Sequence, residues 1–301
     1  MTIERSVSVI GLGLMGSSLA RTFVEHGWKT TVWNRSTDKV HPLVAKGAVP
    51  AASVTECVGA SGLVVICLLN PGAVHEVLEN INPLSCMGRT LIDYTSGTTL
   101  LTRQTQEKAM SLSFSAYIRG AILATPAHVG RPESPFYYAG DEAAFRFLES
   151  DIKILGRPSY VGEDPSFASL QGCIMMDAFF GIAIGFLQAV AVLKASTMYS
   201  TGGAERFVTE ELAPVLSHAY PMVLADLAKQ IDNRNYLTSD GMPLSLLIQT
   251  LNSMKQTHSD LGIADGVFEP LLKLMHSRAA QGRADEEISS LLELILHTKS
   301  I

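Results

Sequence analysis

From Val7 to Ala20 the chain reads VSVIGLGLMGSSLA. A short apolar run passes through a glycine-rich turn into an amphipathic stretch. Gly11, Gly13 and Gly16 have the GxGxxG spacing, with Leu14 and Met15 inside the turn. Each glycine answers a separate demand: Gly11 the tight turn, Gly13 the approach of a pyrophosphate to bare backbone, Gly16 the close seat of helix on strand. The free N–H groups and the positive end of the helix then face an anion. An ordinary βα turn is the plainer reading. The strand before and the amphipathic helix after favour a dinucleotide site.

A second segment bears on which dinucleotide. Lys29–Trp33 reads as the next strand, and Asn34-Arg35-Ser36-Thr37 follows, with Lys39 close behind. An NAD site places Asp or Glu at this strand end to hold the ribose 2′-hydroxyl. Here no carboxylate stands there to repel a 2′-phosphate, and a guanidinium, an ammonium and hydroxyls are available to bind one. NADP(H) is the expected cofactor. Ser36 or Thr37 could equally cap a short helix, which is compatible with that role.

The 301 residues are long enough for two cored domains. The net charge of -6, with no basic run or aromatic-basic interleaving, gives no reason to expect nucleic acid as a partner. Cys57, Cys67, Cys86 and Cys173 form no CxxC pair, and no His/Cys cluster has metal-ligand spacing. Free thiols in a reducing cytoplasm are the expectation, with no signal peptide ahead of the first strand. Gly172–Leu193 is about as long as a membrane span. It carries Asp177 and Gln188, and a carboxylate at the centre of a lone span is costly. A helix buried on nearly all sides by protein, and no membrane, is the preferred reading.

The first half alternates short apolar runs with amphipathic stretches. Strands are expected at Val7–Ile10, Thr30–Trp33, Leu63–Cys67, Thr90–Asp93, Tyr117–Leu123 and Phe136–Ala139. Helices are expected at Leu14–His26, Lys39–Lys46, Ala73–Asn80, Thr98–Ser111 and Glu142–Leu155. This order implies an α/β fold with a parallel, doubly wound sheet. Turn signals within 117–139 point to closing strands of mixed direction. Ligand should lie at the C-terminal strand ends: Trp33-Asn34-Arg35, Cys67-Leu68-Leu69-Asn70, and Asp93-Tyr94-Thr95-Ser96-Gly97-Thr98.

Around Gly156–Pro165 the composition changes to a linker. Beyond it nearly everything reads as helix: about 166–195, then Glu205–Ile231, Pro243–His258, Gly266–Gln281 and Asp285–His297, with Gly202-Gly203 among the breaks. The expected division is a nucleotide domain over 1–162 and a helical domain over 163–301. One helical domain cannot easily bury Gly172–Leu193, so an obligate dimer sharing that helix is expected.

GLGLMGSSLA, DYTSGTT and an all-helical second half resemble the β-hydroxyacid dehydrogenase superfamily. Within it, TTVWNRSTDK, VVICLLN, LAKQIDNRNY and AAQGRADEEISSLLELI are similar to imine reductases and reductive aminases, nearly end to end. The resemblance implies a Rossmann domain, a long interdomain helix and a domain-swapped homodimer. It also implies hydride transfer from NADPH to an imine or iminium, or to an amine plus a carbonyl. Asn34, Arg35, Ser36 and Lys39 then surround the 2′-phosphate, and Cys67, Leu68 and Leu69 lie near the nicotinamide ribose.

The departures fall on the proton-handling side. The superfamily's helix lysine has no counterpart in Phe167–Ile174. Gly172 stands where imine reductases carry Asp or Tyr, Phe180 where many carry Tyr, and Asp93 where reductive aminases carry Asn. A preformed iminium needs no enzyme acid, whereas a neutral imine does. Asp177 is the leading substitute, about 140° around the helix from Gly172 and about 60° from Phe180, and a desolvated carboxylate there could act as an acid. A structural Asp is the alternative. Asp93 could orient substrate or ribose, or cap a helix. His218 is a further acid candidate, with Tyr220 and Tyr138 behind it. Met175, Met176, Phe179 and Phe180 form an apolar wall, either core or substrate pocket. A redox-neutral enzyme and a non-catalytic NADP(H)-binding protein stay open as alternatives.

Overall fold

The structure is a computed structural model that describes residues 5–196, 203–237, 241–264 and 266–296. The chain divides into two compact units, Met1–Ala178 and Phe179–Ile301.

In the first unit, β1 (Ser6–Ile10), β2 (Lys29–Trp33), β3 (Val49–Pro50), β4 (Leu63–Ile66), β5 (Thr90–Asp93), β6 (Ala116–Ile122), β7 (Pro135–Gly140) and β8 (Arg157–Gly162) form one sheet. Its order is β3-β2-β1-β4-β5-β6-β7-β8. All pairs are parallel except β6 with β7. The helices are α1 (Leu14–Glu25), α2 (His41–Val44), α3 (Val54–Gly59), α4 (Pro71–Glu79), α5 (Thr99–Ser111) and α6 (Glu142–Ile152). The α/β reading holds, as does the mixed direction at the sheet's far edge.

Burial on both sheet faces explains the apolar strands. Successive side chains point to opposite faces. Val7 and Val9 of β1 join Leu19, Phe23 and Val65 on one side, while Ile10 joins Val64, Ile66 and Val74 on the other. Each strand therefore reads as a continuous apolar run. The segment expected as a linker holds β8 instead. Pro158 hid it, yet a proline is tolerated where a strand forms the sheet edge, as β8 does.

α7 (Ser166–Ala195) runs through the boundary between the units. The expectation of burial on nearly all sides is not met by the single chain: in the most apolar window only 6% is buried. By length and composition this helix could cross a membrane. Phe179, Phe180, Ile182 and Leu187 are each more than half exposed.

The second unit is helical: α8 (Gly203–Arg206), α9 (Tyr220–Asn233), α10 (Leu244–Asp260), α11 (Glu269–Arg278) and α12 (Leu292–Leu296). The run expected as one helix over Glu205–Ile231 contains two π-helical stretches, Phe207–Leu212 and Val215–Ala219, on either side of Pro214. Proline has no backbone N–H to donate, which disturbs the i→i−4 ladder there. Gly202 and His297 lie outside the described residues. Leu244, Met275 and Leu291 form the unit's buried cluster. Buried Gln188 of α7 donates to the Ala264 carbonyl at 3.1 Å and lies 3.4 Å from His258 Nδ1.

Candidate functional site

The sheet order reverses at β1 and β4, where a doubly wound sheet opens its ligand crevice. A crevice of about 910 Å³ opens there. It is lined by Gly11 and Gly13–Gly16, by Asn34–Ser36 with Lys39, and by Cys67–Leu69.

The three loop glycines differ physically. Gly11 has φ +91°, and a Cβ on it would stand 2.3 Å from the Cys67 carbonyl oxygen. A Cβ on Gly16 would stand 2.0 Å from the Gly11 carbonyl oxygen. Both are required by the fold. A Cβ on Gly13 would meet no protein atom within 4 Å. Gly13 caps α1 without a side-chain hydrogen bond, so the helix's first N–H groups open into this space. This bare stretch of backbone fits a pyrophosphate.

At the β2 end, the Leu12 N–H donates to Asn34 Oδ1 at 2.9 Å, and Asn34 Nδ2 donates to the Ser36 carbonyl at 2.9 Å. Asn34 therefore lashes the glycine loop to the β2 exit in addition to lining the crevice. Ser36 precedes the short turn at Thr37–Lys39 but its hydroxyl caps nothing. Among the described residues, neither Arg35 nor Lys39 has a carboxylate oxygen within 4.0 Å as an ion-pair partner. Two cations and a hydroxyl suit a phosphate monoester better than a ribose diol.

Thr95 and Ser96, expected at the cofactor, are not among the residues lining this crevice. Buried Thr95 accepts the Leu68 N–H on its hydroxyl at 3.0 Å, and so positions the β4 exit. Ser96 is exposed. Asp93 is corrected from a substrate-facing group to an internal brace. It is 3% exposed, one carboxylate oxygen accepts the Thr95 N–H at 2.8 Å, and the other accepts the Tyr117 hydroxyl at 3.0 Å. Thr98, not Asp93, caps α5. The Cys67 thiol is pushed up to about 12, chiefly by burial and secondarily by the Asp93 charge, and stays protonated.

The remaining acid candidates separate as follows. Tyr138 is fully buried, with its hydroxyl 2.8 Å from that of Tyr94. Burial pushes its ionisation upward, and it cannot meet a substrate. Asp177 is exposed on the single chain, with the Cys173 thiol 4.0 Å from its carboxylate. The expected desolvation is therefore absent there. His218 is exposed in the second π-helical stretch, its Nδ1 2.9 Å from the Pro214 carbonyl. Tyr220 is 47% exposed, which leaves its hydroxyl without a core role. Met175, Met176, Phe179 and Phe180 are exposed on α7, so they are not core of the single chain. Gly172 is half-buried, and a Cβ there would stand 3.5 Å from the Ala121 Cβ, an ordinary contact.

Trp33 lines the crevice as expected, but sequence reasoning missed its far end: Ala52–Val54, Ala73, Glu76, Val77 and Asn80. β3 has only two residues and α3 only six, too short for a clear period. Ser53 three residues ahead of Glu56 was the readable signal, since these two cap α3 reciprocally: the Glu56 N–H donates to Ser53 Oγ, and Glu56 Oε2 accepts the Ala52 N–H.

This is a dinucleotide-binding fold with an open, cationic ribose end. Residues 6–118 match the NAD binding domain of 6-phosphogluconate dehydrogenase, and residues 164–297 match the NADPH-dependent reductive aminase-like C-terminal domain. The chain is 32% identical over 300 residues to an NADPH-dependent reductive aminase of Aspergillus oryzae, covering 99% of this chain and all (100%) of the relative. A reductive aminase structure from Aspergillus terreus, in complex with NADPH4, cyclohexanone and allyl amine, superposes with TM-score 0.88 at 31% identity, covering 98% of this chain and 100% of that one. An imine reductase of Myxococcus stipitatus in complex with NADP+ superposes with TM-score 0.84 at 25% identity, covering 97% and 100%. The chain belongs to the reductive aminase and imine reductase family of NADPH-dependent oxidoreductases.

Proposed function

We propose that this chain reduces the C=N bond of a hydrophobic imine or iminium, and that its preferred substrate is an iminium formed before it enters the site. When bound, NADPH supplies the hydride. Gly13 and the open N-terminus of α1 take the pyrophosphate. Arg35, Ser36 and Lys39 hold the 2′-phosphate, while Asn34 fixes the loop that carries them. Asp93, Thr95 and Leu68 keep the β4 and β5 exits in register on the nicotinamide side.

The iminium preference rests on what the side chains can donate. Gly172 and Phe180 can donate no proton, Tyr138 is sealed in the core, and Asp93 is buried with each oxygen accepting a hydrogen bond. A cationic substrate already carries the charge that an acid would create. An exposed apolar helix carrying Asp177 supports a dimer as part of the same reading. A second copy of this chain covers α7, with helical regions exchanged between subunits, and no lipid is involved. In that dimer Met176 and Phe180 face an apolar substrate, and Asp177 pairs with its cationic nitrogen. Four cysteines without a disulfide fit a reducing cytoplasm.

The observation that carries the reading is the crevice itself: space in front of Gly13, and two cations with no carboxylate partner among the described residues. Purified protein with NADPH should oxidise the cofactor with preformed cyclic iminium salts, and far more slowly with neutral imines of the same skeleton. No oxidation across the iminium panel overturns the proposal.

A further inference from the structure

The residues that line the missed end of the crevice have a chemistry of their own. Val54, Ala73 and Val77 give it apolar walls from α3 and α4. Glu76 and Asn80, one helical turn apart, also line it. Among the described residues lining the crevice, Glu76 is the one carboxylate. It is exposed, and among the described residues its carboxylate forms no ion pair with Arg35 or Lys39. Asn80 is fixed in place: Nδ2 donates to the Glu76 carbonyl at 2.7 Å, and its own carbonyl accepts the Thr55 hydroxyl at 3.3 Å.

A carboxylate in a crevice that suits a phosphate dianion is a like-charge cost unless it meets a donor on the ligand. With phosphates at Gly13 and at Arg35, the adenosine half of the ligand offers two donors. One is the ribose 3′-hydroxyl, beside the 2′-phosphate. The other is the 6-amino group of the base, and the apolar walls around Glu76 suit a base. We propose that Glu76, with Asn80 beside it, accepts a hydrogen bond from the exocyclic amine of the purine and makes this slot selective for a 6-amino over a 6-oxo base. The inference rests on the dinucleotide reading above.

The test is calorimetric titration of the purified protein with NADP+ and with its 6-oxo analogue, nicotinamide hypoxanthine dinucleotide phosphate. The wild type should bind the analogue about tenfold more weakly, because the carboxylate then faces a carbonyl oxygen. In Glu76→Ala the preference should fall below about twofold, mainly by weaker NADP+ binding. In Glu76→Gln it should also collapse, but by tighter binding of the analogue, since a carboxamide can turn its NH2 toward a 6-oxo group. A wild-type preference under about twofold overturns the proposal and points to the 3′-hydroxyl, and a preference that survives in Glu76→Ala overturns it by placing the reader of the base elsewhere. If the wild type binds neither dinucleotide, the cofactor reading itself falls.

Discussion

Arg119 Nε donates to Ser169 Oγ across 3.0 Å, tying β6 to the first turns of α7. The Ser169 hydroxyl lies 2.8 Å from Thr102 Oγ1, whose own proton goes to the Thr98 carbonyl at 3.0 Å. Ser169 must therefore donate to Thr102, and one ordered chain of hydrogen bonds crosses β6, α7 and α5. Arg119 Nη1 also donates to the Asp93 and Gly120 carbonyls at 2.5 and 2.8 Å. One buried guanidinium thus holds both the β5 exit and the helix that carries Gly172 and Asp177.

Arg119→Met removes that brace, takes a donor from the Asp93 and Gly120 carbonyls, and leaves the Ser169 oxygen only its bond to Thr102. We expect about 2–4 kcal/mol of destabilisation in urea unfolding, from the lost hydrogen bonds. Arg119→Lys should recover less than half of it, because an ammonium cannot reproduce the fork. A loss under about 1 kcal/mol in the Met variant contradicts the bracing role.

The loop glycines should separate on substitution. Gly16→Ala must displace backbone, since its Cβ would stand 2.0 Å from a carbonyl oxygen. It should lower Tm and abolish dinucleotide binding together. Gly13→Ala meets no protein atom within 4 Å. Its Tm should match the wild type, while the Kd for NADP+ rises by roughly tenfold or more as the methyl blocks the pyrophosphate. Equal affinity in Gly13→Ala would remove that loop from the phosphate site.

Gly172→Asp places a carboxyl group where the sequence resemblance implies a proton donor. The new Cβ has room, 3.5 Å from the Ala121 Cβ. Activity toward neutral imines should rise by about 10²-fold, the ordinary scale of a positioned acid, with little change for iminium salts. Unchanged neutral-imine rates in a folded variant would place the reacting centre away from residue 172.

Asp164 gives the first unit an acid-sensitive contact. It accepts Arg103 Nη2 at 2.6 Å and the Ser166 N–H at 2.9 Å. The Arg103 hydrogen bond is the main cause that holds its carboxyl at about 2, against an ordinary 3.8. A carboxylate lowered on folding adds stability above its ordinary value and loses it as pH falls toward the depressed one. The wild-type advantage in Tm over Asp164→Asn should therefore be full at neutral pH and vanish near pH 2. It should amount to a few degrees at most, because Arg103 is 54% exposed and water screens the pair. An advantage that grows on acidification contradicts this assignment.

What the sequence revealed follows from where its signals were local. The glycine loop, the cationic β2 exit and the apolar strands were legible because spacing and period carry them. β8 was obscured by Pro158, whose penalty applies inside a sheet and not at its edge. The end of the crevice around Glu76 was missed because it is assembled from α3 and α4, segments brought together only by folding. Asp93 was misjudged for a related reason: its partners Tyr117 and Thr95 come from the next strand and from its own turn, and sequence does not show that both oxygens are taken. The burial expected for α7 is not met by the single chain, and it is the proposed second copy that would supply it.

Hydride delivery is tested most directly by label transfer. NADPH carrying deuterium at the reactive C4 position is incubated with the protein and a preformed cyclic iminium salt, and the amine product is analysed by mass spectrometry and NMR. We predict deuterium on the former iminium carbon, in proportion to NADPH consumed. Product without label, or no product while calorimetry shows NADPH bound, would contradict the account.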